Sequence, residues 1–182
     1  MQRLTLLLLV IGCCLPGCAG REGPAQVTYI ANAGFMVQAG DHKILIDALF
    51  NDDTITYAHV PSIEIQAKMA AAEPPFDGVD LVLVTHRHRD HFEAGLMASF
   101  LASSPDTVLV APPQAVEAIP DRERFGDRVR AVLPELHRLE DLEVGGIKVQ
   151  AYLLDHSAYM ETDPVTGEET NRHQGVQNLV YV

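Results

Sequence analysis

The amino-acid sequence predicts a mixed α/β fold in which helices flank two β-sheets. Short apolar runs rich in Val and Leu alternate with stretches whose apolar residues recur at helical spacing, which indicates strands joined by helices. Two later apolar runs are separated by Gly145-Gly146, a pair typical of an antiparallel hairpin. Hairpins mixed with strand-helix units suit two sheets covered by helices.

The expected elements follow one another along the chain. Strands are expected at 27–31, 35–39, 43–47, 81–84, 107–111, 129–133, 142–144 and 147–154. Helices are expected at 63–72, over the apolar positions between 92 and 101, and at 114–119. Gly40-Asp41 turns the second strand into the third, and Pro74-Pro75 ends the first helix. Loops rich in turn-forming residues are expected at 51–61 and 161–174.

Three histidines and an aspartate follow directly after the apolar run Leu81 to Val84. The segment 85–91 reads THRHRDH, and random placement would give its HxHxDH pattern roughly once in a thousand such chains. Neutral imidazole and ionised carboxylate are the usual ligands of zinc and similar divalent ions. Since the end of a buried parallel strand is rigid yet open to a cleft, the segment predicts a metal site.

Asp90 also has a simpler interpretation. Together with Glu93 it forms a variant of the capping box, in which Asp90 would only accept backbone N–H bonds at a helix start. The three histidines beside it favour metal binding over this interpretation.

Segment 80–92 resembles the second motif of the metallo-β-lactamase superfamily, a family of hydrolases with an αββα sandwich fold. Lys43 to Asp47 resembles the first motif, and Gly145 to Val149 leading to Asp155-His156-Ser157 resembles the third. The resemblance covers residues 27–182. It implies an α/β (α+β) sandwich of which the chain holds the first half and the start of the second.

The resemblance implies two metal sites. The first would be held by His86, His88 and His156, and the second in part by Asp90 and His91. Zinc (Zn²⁺) or another divalent ion is expected there. Asp90 is also expected to be catalytic, because in the family it helps to orient the attacking water.

The third ligand of the first site has two candidates. His156 directly follows the β-rich run 147–155, whereas His173 lies in the polar stretch 161–174, so His156 is favoured. Asp47 is expected to support the ligand loop by hydrogen bonds, with an ordinary strand-end aspartate as the alternative. The remaining histidines have no ligand pattern and are expected at the surface: His42, His59 and His137.

The resemblance also has a gap. The family's full site holds a bridging aspartate in a Gly-Asp pair and a last histidine, and no Gly-Asp pair follows His156. Gln177 to Val182 resembles the strand before that pair and is expected to be a central strand. Two functions are therefore expected: a hydrolase acting on an ester, lactone, amide or phosphodiester through metal-activated water, or a catalytically impaired or fragmentary metal-binding lipoprotein.

The N-terminus predicts export. A short basic start precedes the apolar stretch Leu4 to Leu15, which is too short for a spanning helix of about 20 residues. Residues 15–18 resemble a lipobox, so we expect a signal peptide at 1–17, a lipid on Cys18, a linker at 18–26 and one domain at 27–182. The protein would be a membrane-anchored lipoprotein facing the periplasm or cell exterior, or otherwise secreted.

Composition limits the partners. All three cysteines, Cys13, Cys14 and Cys18, lie in the leader, so residues 19–182 offer no disulfide and no thiolate ligand. The net charge of −12 argues against nucleic acid as a partner, because phosphate binding needs clustered Lys and Arg. An RNA-processing nuclease of this fold is therefore not favoured, and a small-molecule substrate is expected. Four interleaved arginines are expected on a solvated face: Arg122, Arg124, Arg128 and Arg130. Arg87 and Arg89 are expected to be loop charges, with an anionic substrate as the alternative.

Overall fold

The computed structural model describes residues 24–52 and 54–182 of the chain. The expected signal peptide and Cys18 lie outside these residues. None of the helices in the described ranges has the length and apolar character needed to cross a membrane.

The first sheet has six strands that follow one another in chain order. They are β1 (Gln26–Ala31), β2 (Gly34–Ala39), β3 (His42–Ile46), β4 (Leu81–Leu83), β5 (Val108–Ala111) and β6 (Val129–Ala131). The first three pair antiparallel, and β3 to β6 pair parallel. All three residues of β4 are buried, as a short apolar run in the middle of a parallel sheet should be.

Helices cover one face of this sheet. They are α1 (Ile63–Ala71), α2 (Ala94–Ser103), the single turn α3 (Pro113–Val116) and a 3₁₀ segment (Arg122–Arg128). The largest buried side chains of this layer belong to one apolar cluster with the sheet, which includes Met69, Phe76, Met97, Phe100 and Leu101. This cluster fixes the helices against β4, whose C-terminal end therefore has a rigid support.

The start of α2 excludes the simpler, less favoured interpretation of Asp90. The N-cap is Glu93, whose carboxylate accepts hydrogen bonds from Gly95 N (2.9 Å) and Leu96 N (2.6 Å). The capping-box interpretation of Asp90 is therefore wrong, because Asp90 lies in the turn before the cap and the free N–H groups bind Glu93.

The second sheet has three strands in the order β11, β8, β7. Their ranges are Leu139–Val144 for β7, Ile147–Asp155 for β8 and Gln177–Tyr181 for β11. A second apolar cluster lies between the two sheets and joins Leu81, Leu83 and Val110 of the first to Val144, Val149 and Ala151 of the second. The described residues thus form the helix, sheet and sheet layers of the expected sandwich, and the predicted fold class is confirmed.

Strand β11 ties the second sheet to the loop after β4. Leu179 N donates a hydrogen bond to Thr85 O (2.8 Å), and the Tyr181 hydroxyl donates to Val84 O (2.9 Å). Burial raises the pKa of Tyr181, so this phenol stays protonated and remains a donor. Expected as a central strand, β11 pairs with β8 alone among the described strands.

The stretch 161–174 is not the loop that its polarity indicated. It contains the antiparallel hairpin of β9 (Met160–Thr162) and β10 (Glu169–Asn171). Asp163 Oδ1 accepts hydrogen bonds from Val165 N (2.7 Å) and Thr166 N (2.8 Å) in the connecting turn. Turn chemistry rather than burial stabilises this exposed hairpin, so apolar periodicity could not reveal it.

The arginine cluster is also more than a solvated face. The half-buried Arg128 guanidinium donates to the carbonyl oxygens of Leu101 (3.2 Å), Ser104 (3.1 Å) and Thr107 (3.1 Å). These carbonyls lie at and beyond the C-terminal end of α2, where orphan acceptors need a donor. Arg128 is therefore a C-terminal cap for this helix.

Candidate metal centre

Three imidazoles meet at the C-terminal end of β4. His86 and His88 lie in the loop after that strand, His156 follows directly after β8, and one nitrogen from each ring lies within 4.8 Å of the others. The Nε2 atoms of His86 and His156 are 3.2 Å apart. Two nitrogens bound to a tetrahedral zinc ion at about 2.0–2.1 Å are about 3.3 Å apart, so this spacing fits a shared metal ion.

The tautomer of His86 follows from a chain of hydrogen bonds. The Thr85 hydroxyl has one proton, which it donates to Asp47 Oδ2 (2.6 Å). Thr85 Oγ1 must then accept from His86 Nδ1 at 2.9 Å. With Nδ1 protonated, the Nε2 lone pair of His86 faces His156 and is free to bind a metal.

His156 is oriented in the same sense. Its Nδ1 lies 3.2 Å from the backbone oxygen of Ser157, which can only accept. A proton on Nδ1 satisfies this contact and leaves the Nε2 lone pair facing His86; the Ser157 hydroxyl, 3.4 Å from the same Nδ1, is the competing donor. Two unprotonated Nε2 atoms facing each other repel unless a cation lies between them, which makes this pair the strongest geometric indication of a metal site.

His91 and Asp90 form the second group. His91 Nδ1 donates to Asp47 Oδ2 (2.8 Å), and His91 Nε2 lies 3.6 Å from Asp90 Oδ2. The His86 and His91 rings are 4.0 Å apart between centroids, so this group adjoins the three-histidine cluster. The geometry offers one imidazole and one carboxylate for a second ion.

Asp47 joins the two groups. It is 3% exposed, and its carboxylate accepts hydrogen bonds from Thr85 N (2.8 Å), Thr85 Oγ1 and His91 Nδ1. Its φ of +46° turns the chain sharply at the end of β3, a conformation that Asp tolerates better than most residues. The structure thus places Asp47 against the loop that carries His86 and His91 rather than in the cleft.

Burial controls the protonation of the first group. Burial, and then the neighbouring imidazoles, lowers the pKa of His86 from 6.5 to about 2 and that of His88 to about 4. Both rings are therefore neutral near neutral pH, as metal ligands must be. For His91 burial acts in the lowering direction, but the hydrogen bond and charge of Asp47, followed by the charge of Asp90, raise its pKa overall.

The metal-free protein is expected to lose stability as the pH falls from neutral. In the unfolded chain His86 and His88 have the ordinary histidine pKa of 6.5, whereas in the fold their pKa values are about 2 and about 4. As the pH falls below 6.5, the unfolded state therefore binds more protons than the folded state, which lowers the free energy of unfolding. His91 acts in the opposite direction because its pKa is raised.

This dependence is measurable by urea unfolding in chelator at about pH 7.5 and about pH 5. The midpoint should be lower at the acidic pH, and His88→Asn should reduce the difference. A midpoint that is unchanged or higher at the acidic pH would contradict the assignment of neutral, buried imidazoles.

A cleft of about 500 Å³ opens over both groups. Its lining adds three side chains to the expected ligands: Tyr57, Tyr159 and His173. The His173 ring lies 4.2 Å from that of His156, and its Nδ1 contacts Ser157 O at 2.7 Å. The structure thus brings both candidates for the third ligand to the site, with His156 in the three-nitrogen group and His173 beside it.

The two loop arginines differ. Arg89 forms an ion pair with Asp52 (2.6 Å). Both arginines nevertheless line a second hollow of about 450 Å³ that adjoins the metal cleft at His88 and His173, so both border the region that a substrate would occupy.

Besides Tyr57 and Tyr159 in the lining, two residues that orient the expected ligands were not predicted. The Thr85 hydroxyl donates to Asp47 and accepts from His86, so it links the two side chains. In the sequence, only its position directly before the first histidine indicated such a role. Asn32 donates to Asp90 from the turn between β1 and β2. Only its position in a tight turn, where Asn adopts positive φ, distinguished it in the sequence.

Comparison with known proteins supports the family that the motifs resemble. Residues 26–182 match the family model of the β-lactamase superfamily domain. A metal-dependent hydrolase from Aeropyrum pernix is 29% identical over 87 residues, which are 48% of this chain and 29% of that protein. The chain thus matches less than a third of this relative's length.

Two solved structures are also similar. A metallo-β-lactamase from Hirschia baltica is 16% identical, with a TM-score of 0.39, over 71% of this chain and 60% of the other. A diiron β-hydroxylase from Streptomyces venezuelae is 18% identical, with a TM-score of 0.42, over 74% of this chain and 24% of the other. With its family model matched over residues 26–182, the chain belongs to the β-lactamase superfamily.

Proposed function

We propose that the protein is a metal-dependent hydrolase that cleaves an ester, lactone, amide or phosphodiester bond of a small molecule. The observation that carries this proposal is the pair of facing Nε2 atoms of His86 and His156, 3.2 Å apart, with a nitrogen of His88 in the same group. Family membership supports the same class of activity.

The residues present fit zinc. His86, His88 and His156 would hold the first ion, and Asp90 with His91 part of a second, all through nitrogen and oxygen atoms. When bound, such an ion supplies acidity to water and polarises the carbonyl or phosphoryl oxygen under attack. Three protein ligands would leave such an ion able to bind water, as catalytic rather than structural zinc sites do.

Asp90 would act on the attacking water. Its Oδ2 contacts Asn32 and His91, the Tyr57 hydroxyl also lies beside the carboxylate, and the side chain lines the cleft. The carboxylate would accept a hydrogen bond from water in this cleft and orient it towards the substrate.

Asp90→Asn is expected to lower turnover roughly 100-fold or more while the three-histidine site keeps its metal. Hydrolysis of generic ester, lactone, amide and phosphodiester substrates with added zinc measures the first effect, and elemental analysis the second. Asp141→Asn, an exposed change on β7, is the matched control. A wild-type protein that holds zinc but hydrolyses none of these classes would instead support a catalytically impaired metal-binding protein.

We further propose that the protein is exported and anchored through a lipid on Cys18. The basic start, the short apolar stretch and the small residue before Cys18 support this proposal. Cys18→Ser should abolish metabolic fatty-acid labelling and release the protein from membranes, whereas Cys14→Ser should do neither. Continued labelling of the Cys18→Ser variant would leave plain secretion as the better account.

A further inference from the structure

We infer that Asn32, in a hairpin that supplies no metal ligand, positions Asp90 for the second ion and so controls occupancy of that site. The inference rests on the proposed function, because it concerns one half of the proposed centre. Asn32 lies between β1 and β2, 58 residues from Asp90 in the chain, and its amide touches the ligand loop.

The direction of the amide is fixed by its partners. Asn32 Nδ2 lies 3.0 Å from the backbone oxygen of Asp90 and 3.1 Å from Asp90 Oδ2. A carbonyl and a carboxylate oxygen can only accept, so the NH₂ group must face both. One amide therefore holds the backbone and the side chain of Asp90 together, and the bond to the carboxylate is charge-assisted.

The turn that carries Asn32 is itself held in place. Asn32 has φ of +45°, a conformation that Asn tolerates at little cost. Gly34 packs so closely that a Cβ atom there would lie 3.0 Å from backbone atoms of both Asp47 and Ala48. The hairpin thus rests against the chain segment that orients the ligand loop, and the Asn32 amide is presented from a rigid support.

The consequence for the second site is geometric. The Asn32 amide donates to Asp90 Oδ2, the oxygen that lies 3.6 Å from His91 Nε2. The Asp90 side chain is thereby held in one rotamer, with its carboxylate beside His91. Backbone hydrogen bonds from His91 N and Phe92 N to His88 O hold the turn itself, so loss of the Asn32 amide would free the Asp90 side chain to rotate away from His91.

Two substitutions isolate the amide. Asn32→Asp keeps the size and the tolerance of positive φ but places an acceptor against Asp90, and Asn32→Gly keeps the backbone conformation and removes the donor. Both variants should retain the first zinc with wild-type affinity and bind the second about 10- to 100-fold more weakly. Gln38→Glu, at the far end of the same hairpin beside Lys43, is the charge-matched control.

Zinc is the probe, and affinity for each ion is measured by competition with a chromophoric chelator, with bound metal counted by elemental analysis. A double-mutant cycle gives the decisive readout. In an Asp90→Ala background, Asn32→Gly should have no further effect on the second ion, since it acts through Asp90. Wild-type second-site affinity in both Asn32 variants, equal loss of both ions, or an undiminished effect in the Asp90→Ala background would overturn the inference.

The outcomes also separate this inference from the proposed function. A wild-type protein that binds one zinc at the three histidines and no second ion would overturn the role of Asn32 and leave the first site intact. A wild-type protein that binds no zinc would remove the proposed function itself.

Discussion

Asp47→Asn is expected to weaken binding of the second metal ion about 10- to 100-fold and to lower turnover by a similar factor. The new side chain has the same shape, and Asn tolerates the φ of +46° at this position, so the turn at the end of β3 should be kept. What changes is the number of hydrogen-bond acceptors. The Asp47 carboxylate accepts from Thr85 N, Thr85 Oγ1 and His91 Nδ1, whereas an amide has one oxygen and one NH₂ group, so it cannot accept from both sides.

Asp47→Asn would weaken metal binding by changing the tautomer of His91. In the wild type, Asp47 Oδ2 accepts from both His91 Nδ1 and Thr85 Oγ1. An amide NH₂ in that place would face two donors, so His91 would carry its proton on Nε2 instead, and that nitrogen could no longer bind a metal. The hydroxyl of Thr85 would also turn, which disturbs the tautomer of His86.

Elemental analysis and chelator competition on Asp47→Asn measure this effect, with Asp41→Asn in the exposed turn before β3 as the control. The melting temperature reports whether the fold survives. Unchanged affinity for both ions in a folded Asp47→Asn variant would show that Asp47 is only a strand-end carboxylate.

His88→Ala is expected to have the larger effect and to remove most bound metal. His88 would supply one of three nitrogens to the proposed first site, and the loss of one ligand from a three-residue chelate would leave a pair that binds weakly. His88 is a cleaner choice than His86. Its side chain has no hydrogen-bond partner in the described ranges, whereas His86 is 4% exposed and bound to Thr85.

His59→Ala, an exposed position, is the matched control and should keep the full metal content. Equal metal content in wild type and His88→Ala, measured after dialysis, would refute the assignment of this site. Both variants should fold, so the comparison is not confused by loss of structure.

The first sheet and the ligand loop could be predicted because their sequence pattern is local. Leu81 to Val84 is a continuous apolar run, and a run of this kind has few placements other than a buried strand. The histidines follow within a few residues, so their place at the strand end comes with the strand.

The remaining parts of the site depend on contacts between distant segments. His156 and His173 both reach the cleft. The β-rich run before His156 favoured that residue, but the approach of His173 could not be predicted, because the hairpin of β9 and β10 that precedes it lacks apolar periodicity. Asn32 acts across 58 residues through a turn with no ligand motif. Glu93 displaced Asp90 from the helix cap because two residues suited that role and only packing chose between them.

The central claim is that His86, His88 and His156 hold one metal ion through their ring nitrogens. The most direct test is a crystal structure of the zinc-loaded protein with anomalous diffraction recorded on both sides of the zinc absorption edge. We expect an anomalous peak about 2.0–2.1 Å from one nitrogen of each of the three rings. A zinc-saturated crystal whose anomalous peaks all lie away from these three imidazoles would contradict the account.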